Sequence, residues 1–498
     1  MAPIFDLVGV GFGPANLSLC IALHESEEAR TKGFSMVFLE KQPQFAWHRT
    51  LLLPGTQLQV SPMKDLVTMR DPTSYFSFTN FLHVHGRLPA YINRSESVPS
   101  RREWSAYLAW AARSMEQYAR YGTTVLDIEP VKGSDGKVAY NRVIARDASG
   151  NTHSYLARNV CVAVGGQANI PESLTSVIDA PRVIHSAQFL TQMKTLEPIL
   201  RAKKSLRLAV LGAGQSSAEM LVYLLDRFPE AQIDMIFRAS ALVPSDDTPF
   251  VNSAAFDPAS SQRFWELPLK LRRQHVVEFK HTNYSVVRAD LIAQIYEAAY
   301  EERVELDGET SECRICIQPN TLVLNSEESG DQIVLHTRPV HVAEPVSNTF
   351  DAVFLGTGFV RDAYRMPFVD SLRSHFSLLS ADGVQRLRES EEAFDNSGDA
   401  VADPEAERGR TRGITRDYFL VPDEPDAWNT TSETISSVPK EATENVEAPA
   451  ETRDRVVSPR ILVLGCNEST HGISDSLLSV AAHRAGIIKS SLLARTPE

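Results

Sequence analysis

The sequence predicts an α/β protein of two nested Rossmann-like dinucleotide-binding domains with a small substrate-binding region. Three observations carry this. A glycine-rich turn, GVGFGPAN, occupies 9–16, and a second, LGAGQSSAE, occupies 211–219. Each follows an apolar strand-like run and opens an apolar-periodic helix. Further apolar runs at 351–355 and 461–464 follow the second turn, so the second unit reads as an insertion within the first.

In chain order, 6–10 is the first strand and 14–24 its helix. MVFLE at 36–40 is the next strand, reached through a polar loop at 25–33. The stretch 44–88 is rich in aromatics and turn formers, and 101–118 has helical spacing. A strand at 160–164 ends at Gly165-Gly166. The strand 206–211 feeds the second turn, and its neighbour 233–237 ends at Arg238. The strands 351–355 and 461–464 are expected to complete the first sheet, and a helix over 474–494 closes the chain. The expected domains are therefore 1–170 and 171–345, with 346–498 returning to the first. Within the last, 388–455 is acidic, rich in Ser, Thr, Pro and Glu, and poor in apolar residues. Such a composition predicts a disordered insertion, and removing Ser390 to Thr452 is expected to leave fold and turnover intact.

Composition narrows the function. The 498 residues carry a formal net charge of −13, which argues against nucleic acid or an anionic membrane as partner. There is no apolar run long enough for a membrane span. MAPIFDLVGV lacks the basic region of a signal peptide, so a cytoplasmic enzyme is expected. The five cysteines are scattered and form no disulfide framework. The histidines show no metal spacing, so no metal is expected.

Two unlike glycine turns imply two bound nucleotides, as in flavin enzymes that also bind a nicotinamide, and so redox chemistry. In the first turn Gly11 makes the bend, Gly13 admits a pyrophosphate, and Asn16 replaces the third glycine. Glu40, ending the second strand, can accept from ribose hydroxyls. In the second turn Gly212 and Gly214 take the same parts and Ser217 replaces the third glycine. Arg238 stands where an acid would select NADH, which favours the 2′-phosphate of NADPH; a solvated surface charge is the alternative. Cys313 and Cys316 could form a redox pair, although incidental spacing is the stronger reading. His185 to Phe189 is half of a flavin-monooxygenase fingerprint, without its glycine.

Several segments together resemble the flavin-dependent N-hydroxylating monooxygenases, on the fungal L-ornithine N(5)-monooxygenase branch of siderophore biosynthesis. They are GVGFGPANLSLCIAL, FLEKQPQFAWH, LQVSPMKDLVTMRDPTSYFSF, VLGAGQSSAE, PSDDTPFVN, TNYSVVR and GCNESTHGISDSLLSV. The resemblance implies that FAD is held by Gly9, Gly11, Gly13, Pro14, Asn16, Glu40, Lys41, Gln44, Trp47, His48 and Gln59. Val125, Ile473, Ser474 and Asp475 complete that set. It assigns NADPH to Gly212, Ala213, Gly214, Gln215, Ser216, Arg238, Asn283, Tyr284 and Ser285. Lys64, Asn252, Asn283 and Ser476 are implied to bind the amino acid, with Lys64, Asn283 and Ser476 catalytic. L-Ornithine and molecular oxygen are the implied substrates, and a homotetramer the implied assembly.

The residue types suit that chemistry. An alkyl amine with a pKa of about 10.4 is mostly protonated at neutral pH and then has no lone pair to offer. A neutral amide such as Asn283 orients it without stabilising the ammonium. Lys64 suits the substrate carboxylate, with a salt bridge to Asp65 as its alternative. Two departures stand out: Gly356 and Phe359 replace the family's alanine and tyrosine after the 351–355 strand, and the acidic insertion is added. A lysine N(6)-hydroxylase, another flavin monooxygenase, a flavin disulfide reductase and a non-catalytic flavin redox sensor remain as rival readings.

Overall fold

The computed structural model describes residues 4–307, 313–397, 402–428 and 459–494. The first sheet contains β1 (Ile4–Val10), β2 (Met36–Glu40), β3 (Ala119–Tyr121), β4 (Thr124–Lys132), β5 (Val138–Arg146) and β6 (Thr152–Val162). They run in the order β3-β2-β1-β6-β5-β4, and the Arg460–Val463 strand also pairs with β6. The long β6 serves two structures. Its first half closes an antiparallel meander with β4 and β5. Its second half is parallel to both β1 and Arg460–Val463, with Cys161 opposite Gly9 on one side and Leu462 on the other. The strands of this parallel part are almost wholly buried, as expected where helices cover both faces.

The second sheet is parallel throughout, in the order Ile315–Gln318, Gln232–Ile236, Arg207–Leu211, Ala352–Leu355, Val183–His185. This corrects the expectation for 351–355, which joins the second sheet and not the first. Val353 lies between Ala209 and Val183. Asp351 fixes the register by accepting from Arg207 N at 2.8 Å and from Lys203 Nζ at 2.6 Å. Among the strands after the second turn, only Arg460–Val463 returns to the first sheet.

Two helix expectations also shift. The polar loop at 25–33 contains a short helix, Glu27–Thr31, whose N-terminus is capped by Ser26. The closing helix spans Ala481–Leu493, and 473–480 is occupied by two 3-10 turns. The cause is Asp475: its carboxylate takes Arg484 Nη1 at 2.6 Å and Asn467 N at 2.8 Å, folding this stretch back on itself.

The largest correction concerns the acidic segment. Its first part is folded, with helices Ala381–Ser397 and Pro404–Arg412 followed by buried Ile414, Tyr418, Phe419, Leu420 and Trp428. Phe419 bridges to Leu462 at the edge of the first sheet. Glu391 is buried between two buried arginines, 2.7 Å from Arg272 Nη2 and 2.5 Å from Arg412 Nε. Averaged composition conceals both the apolar anchors and the ion pairs. Deleting this stretch would open the core, so the expectation that it is removable does not hold for 388–428. Residues 429–458 lie outside the described residues.

Candidate active site

β1 ends at Val10 and the first helix begins at Pro14, so Gly11 and Gly13 form the turn between them. Gly11 has φ +83°, and a Cβ there would lie 2.7 Å from Ala163 O. Gly13 caps the helix without a side-chain hydrogen bond, and nothing lies within 4 Å of a Cβ placed on it. Uncapped N–H groups beside open space are what a pyrophosphate needs. Glu40 is fixed over this turn: Oε2 accepts from Phe12 N at 2.8 Å and Oε1 from Gln42 N at 2.9 Å. Its backbone carbonyl accepts from Thr123 N, which brings the start of β4 and Val125 alongside.

Two residues of the first turn act inward instead. A Cβ on Gly9 would meet the Phe38 ring at 2.1 Å, so this glycine serves strand packing. Asn16 is fully buried, and its Nδ2 donates to Gly11 O at 2.7 Å, bracing the bend. Asp475, paired with Arg484, and buried Ile473 are likewise structural in their side chains, while Ser474 meets Ser261 at 3.1 Å. Lys41, Gln44 and Gln59 are exposed. Trp47 and His48 meet edge to face. Desolvation, reinforced by Arg101 and Arg361, pulls the His48 pKa down to about 4.

The second turn repeats the design. Gly212 has φ +123°, and Gly214 caps the Gln215–Arg227 helix without a side-chain bond. Around a Cβ on Gly214, only Ser285 Cα lies within 4 Å, at 3.8 Å. Ala213 and Ser216 flank this opening. Arg238 is exposed just beyond the Gln232–Ile236 strand, and no carboxylate engages it among the described residues. The two cofactor sets meet directly: Gln59 Nε2 donates to Gln215 Oε1 at 3.2 Å. Gln215 in turn donates to Glu219, which pairs with Arg101 Nη1 at 2.7 Å. Gln59 and Ser285 are thus both brought beside the second glycine turn.

The substrate candidates gather around the Pro249–Phe256 helix, which packs against the 3-10 turns Phe279–Thr282 and Ile473–Ser476. Lys64 is half-buried, with Nζ 5.7 Å from the Phe256 ring centroid. Burial lowers its pKa, and Asp257 opposes the shift. Its alternative partner, Asp65, is already engaged by Val67 N, Thr68 N, Thr68 Oγ1 and Phe78 N. No hydrogen bond or ion pair holds the ammonium among the described residues. Asn252 sits on the Pro249–Phe256 helix and donates to Asp247 O at 2.7 Å. Asn283 ends a 3-10 turn, followed by Tyr284 and by Ser285 with φ +56°.

One residue was missed by the sequence reading. Glu468 Oε1 accepts from Ser476 Oγ at 2.7 Å and from the Tyr284 hydroxyl. It is the only acid between Gly465 and Asp475, and that isolation was the available signal. The acidic segment supports the same turn from behind. Arg272 Nε donates to Ser469 O at 2.8 Å, and His471 stacks on Tyr418 with centroids 4.1 Å apart.

The cysteine pair gives no redox centre. Cys313 is buried, and Cys316 lies on a strand where burial, assisted by Asp234, pushes its thiol pKa up, away from a reactive thiolate. His185 is also structural: Nε2 donates to Gly358 O at 3.1 Å and Nδ1 accepts from Ala187 N. Among the described residues there is no His, Cys, Asp or Glu group suited to a metal ion, and no helix long and apolar enough to cross a membrane.

Comparisons with known proteins identify the family. The chain is 42% identical to an L-ornithine N(5)-monooxygenase of Mycosarcoma maydis, covering 99% of this chain and 86% of the relative. It is 34% identical to that of Pseudomonas aeruginosa, covering 99% and 94%. The structure of ornithine hydroxylase from Pseudomonas aeruginosa superposes with a TM-score of 0.78 at 33% identity, over 99% of both chains. Ornithine N-hydroxylase of Kutzneria sp. 744, solved with reduced FAD, NADP+ and L-ornithine, gives 0.78 at 29% identity, over 99% and 100%. The family described as L-lysine 6-monooxygenase/L-ornithine 5-monooxygenase matches residues 3–361, and the chain belongs to it.

Proposed function

We propose that the protein hydroxylates the side-chain amine of L-ornithine to N(5)-hydroxyornithine, using FAD, NADPH and molecular oxygen, for hydroxamate siderophore assembly. The observation that carries this is the half-buried Lys64, whose ammonium no hydrogen bond or ion pair holds among the described residues, together with two open nucleotide turns. Full-length similarity to ornithine hydroxylases supports the choice of amino acid. When bound, FAD and NADPH supply hydride and oxygen transfer.

The chain's own residues bind, orient and shield. The Gly13 helix terminus takes the FAD pyrophosphate, and Glu40 takes its ribose. The Gly214 turn takes the NADPH pyrophosphate, and Arg238 takes the 2′-phosphate. Lys64 pairs with the substrate carboxylate through a charge-assisted bond. Asn283 orients the reacting amine without a charge that would keep it protonated. Assembly as a cytoplasmic homotetramer completes the proposal; it rests on the family resemblance, and light scattering tests the subunit count. The central test measures NADPH-dependent hydroxylamine formation from L-ornithine beside L-lysine. Ornithine turnover well above lysine turnover is expected; equal turnover, or none, overturns the assignment.

A further inference from the structure

The ornithine reading, on which this inference rests, leaves one substrate group without a partner. An amino acid brings an α-carboxylate, an α-ammonium and the reacting amine. Lys64 answers the carboxylate and Asn283 the amine. The α-ammonium is largely charged at neutral pH and needs an acceptor. Neither Asn252 nor Ser476 is charged.

We propose that Glu468 reads the α-ammonium of the substrate and so selects amino acids over plain ω-amino acids. Oε1 is committed to Ser476 Oγ, 2.7 Å away, and to the Tyr284 hydroxyl. Among the described residues, no hydrogen bond or ion pair engages Oε2. The side chain is half-buried, deep enough for its charge to matter and open enough to be reached. Ser476 donates to Glu468 and lies 3.4 Å from the Tyr284 hydroxyl, and its oxygen keeps a lone pair that can accept from an ammonium.

Chemistry decides which nitrogen Glu468 faces. Beside the reacting amine, a carboxylate would hold it as an unreactive ammonium. Beside the α-ammonium, the same charge is purely favourable. The placement agrees. Tyr284 follows Asn283 directly, and the length of the tyrosine side chain separates that backbone from Glu468. A substrate with three methylenes between its nitrogen-bearing ends spans a comparable reach.

The test compares L-ornithine with 5-aminopentanoate, which lacks only the α-ammonium. For the FAD-loaded wild type and Glu468→Gln, three quantities are measured: the KM for ornithine, the inhibition constant of 5-aminopentanoate, and the rate of flavin reduction by NADPH. Glu468→Gln should raise the ornithine KM about 30-fold, the scale of a lost charge-assisted bond. It should leave 5-aminopentanoate inhibition and flavin reduction within about threefold, because the isosteric amide still accepts from the two hydroxyls. Glu468→Asp, which keeps the charge, should recover part of the discrimination and serves if the amide variant does not fold. Equal effects on both ligands, or an unchanged ornithine KM, overturn the assignment. Failure of the wild type to hydroxylate ornithine would instead remove the functional reading beneath it.

Discussion

Glu391 offers the sharpest test of the claim that the acidic segment is part of the fold. Its side chain is 5% exposed, and those of Arg272 and Arg412 are 1% exposed. Each carboxylate oxygen serves one guanidinium, at 2.7 and 2.5 Å. Glu391→Gln keeps the shape but removes the carboxylate charge that pairs with both buried cations. The amide also turns one acceptor into a donor facing a guanidinium. Breaking a buried pair from one side costs about 3–5 kcal/mol. The neighbouring Glu392–Arg273 pair is an internal control. It has a similar contact, 2.8 Å, but its side chains are 52% and 54% exposed, so Glu392→Gln should cost less than about 1 kcal/mol. Urea denaturation of the FAD-loaded protein, followed by tryptophan fluorescence, measures both variants, and Trp265 beneath Arg412 is a local reporter. If the two variants differ by less than about 1 kcal/mol, the buried cluster does not stabilise the fold as argued.

Lys64→Ala should raise the ornithine KM about 30-fold or more, the effect of losing about 2–5 kcal/mol, while NADPH still reduces the flavin; unchanged ornithine affinity removes the carboxylate role. Arg238→Ala should weaken NADPH more than NADH, since only NADPH carries the 2′-phosphate; equal weakening in paired titrations would contradict it. His471 is buried, and desolvation lowers its pKa to about 4. Its folded pKa lies below the unfolded value of about 6.5, so the unfolded state binds the extra proton in that window. Its contribution is therefore complete above pH 6.5 and lost as pH falls toward 4, amounting to about 2 kcal/mol by pH 5. Urea midpoints from pH 7 to 5 should show this loss, and His471→Gln should flatten the slope; an identical slope refutes the assignment.

Local signals were legible in the sequence. Strand, glycine turn and helix follow one another within about 20 residues at both nucleotide sites, and the structure places the open glycines there. Pairing between distant strands was not legible. The apolar run at 352–355 suits either parallel sheet, and the choice is made by Asp351, whose partners Lys203 and Arg207 lie far back in the chain. Asn16 and Asp475 sit in the motifs, and the sequence does not show that their side chains turn inward, to Gly11 O and to Arg484. The order in 388–397 and 402–428 is hidden in the sequence because a buried glutamate and an exposed one look alike in composition. Glu468 escaped because the argument for a neutral amine discouraged looking for an acid near the substrate.

The second glycine turn and the GTGF loop share more than a cofactor. Ser217 Oγ donates to Gly356 O at 3.2 Å, and a Cβ on residue 356 would fall 1.9 Å from that oxygen. Ser217, standing where a third glycine is usual, thus fills the space that a side chain at 356 would need. Replacing the serine would remove its hydroxyl but not its backbone nitrogen, which also lies 2.9 Å from a Cβ at 356. Screens of this turn should therefore accept small residues at 217 yet keep glycine at 356, even when both positions are varied together.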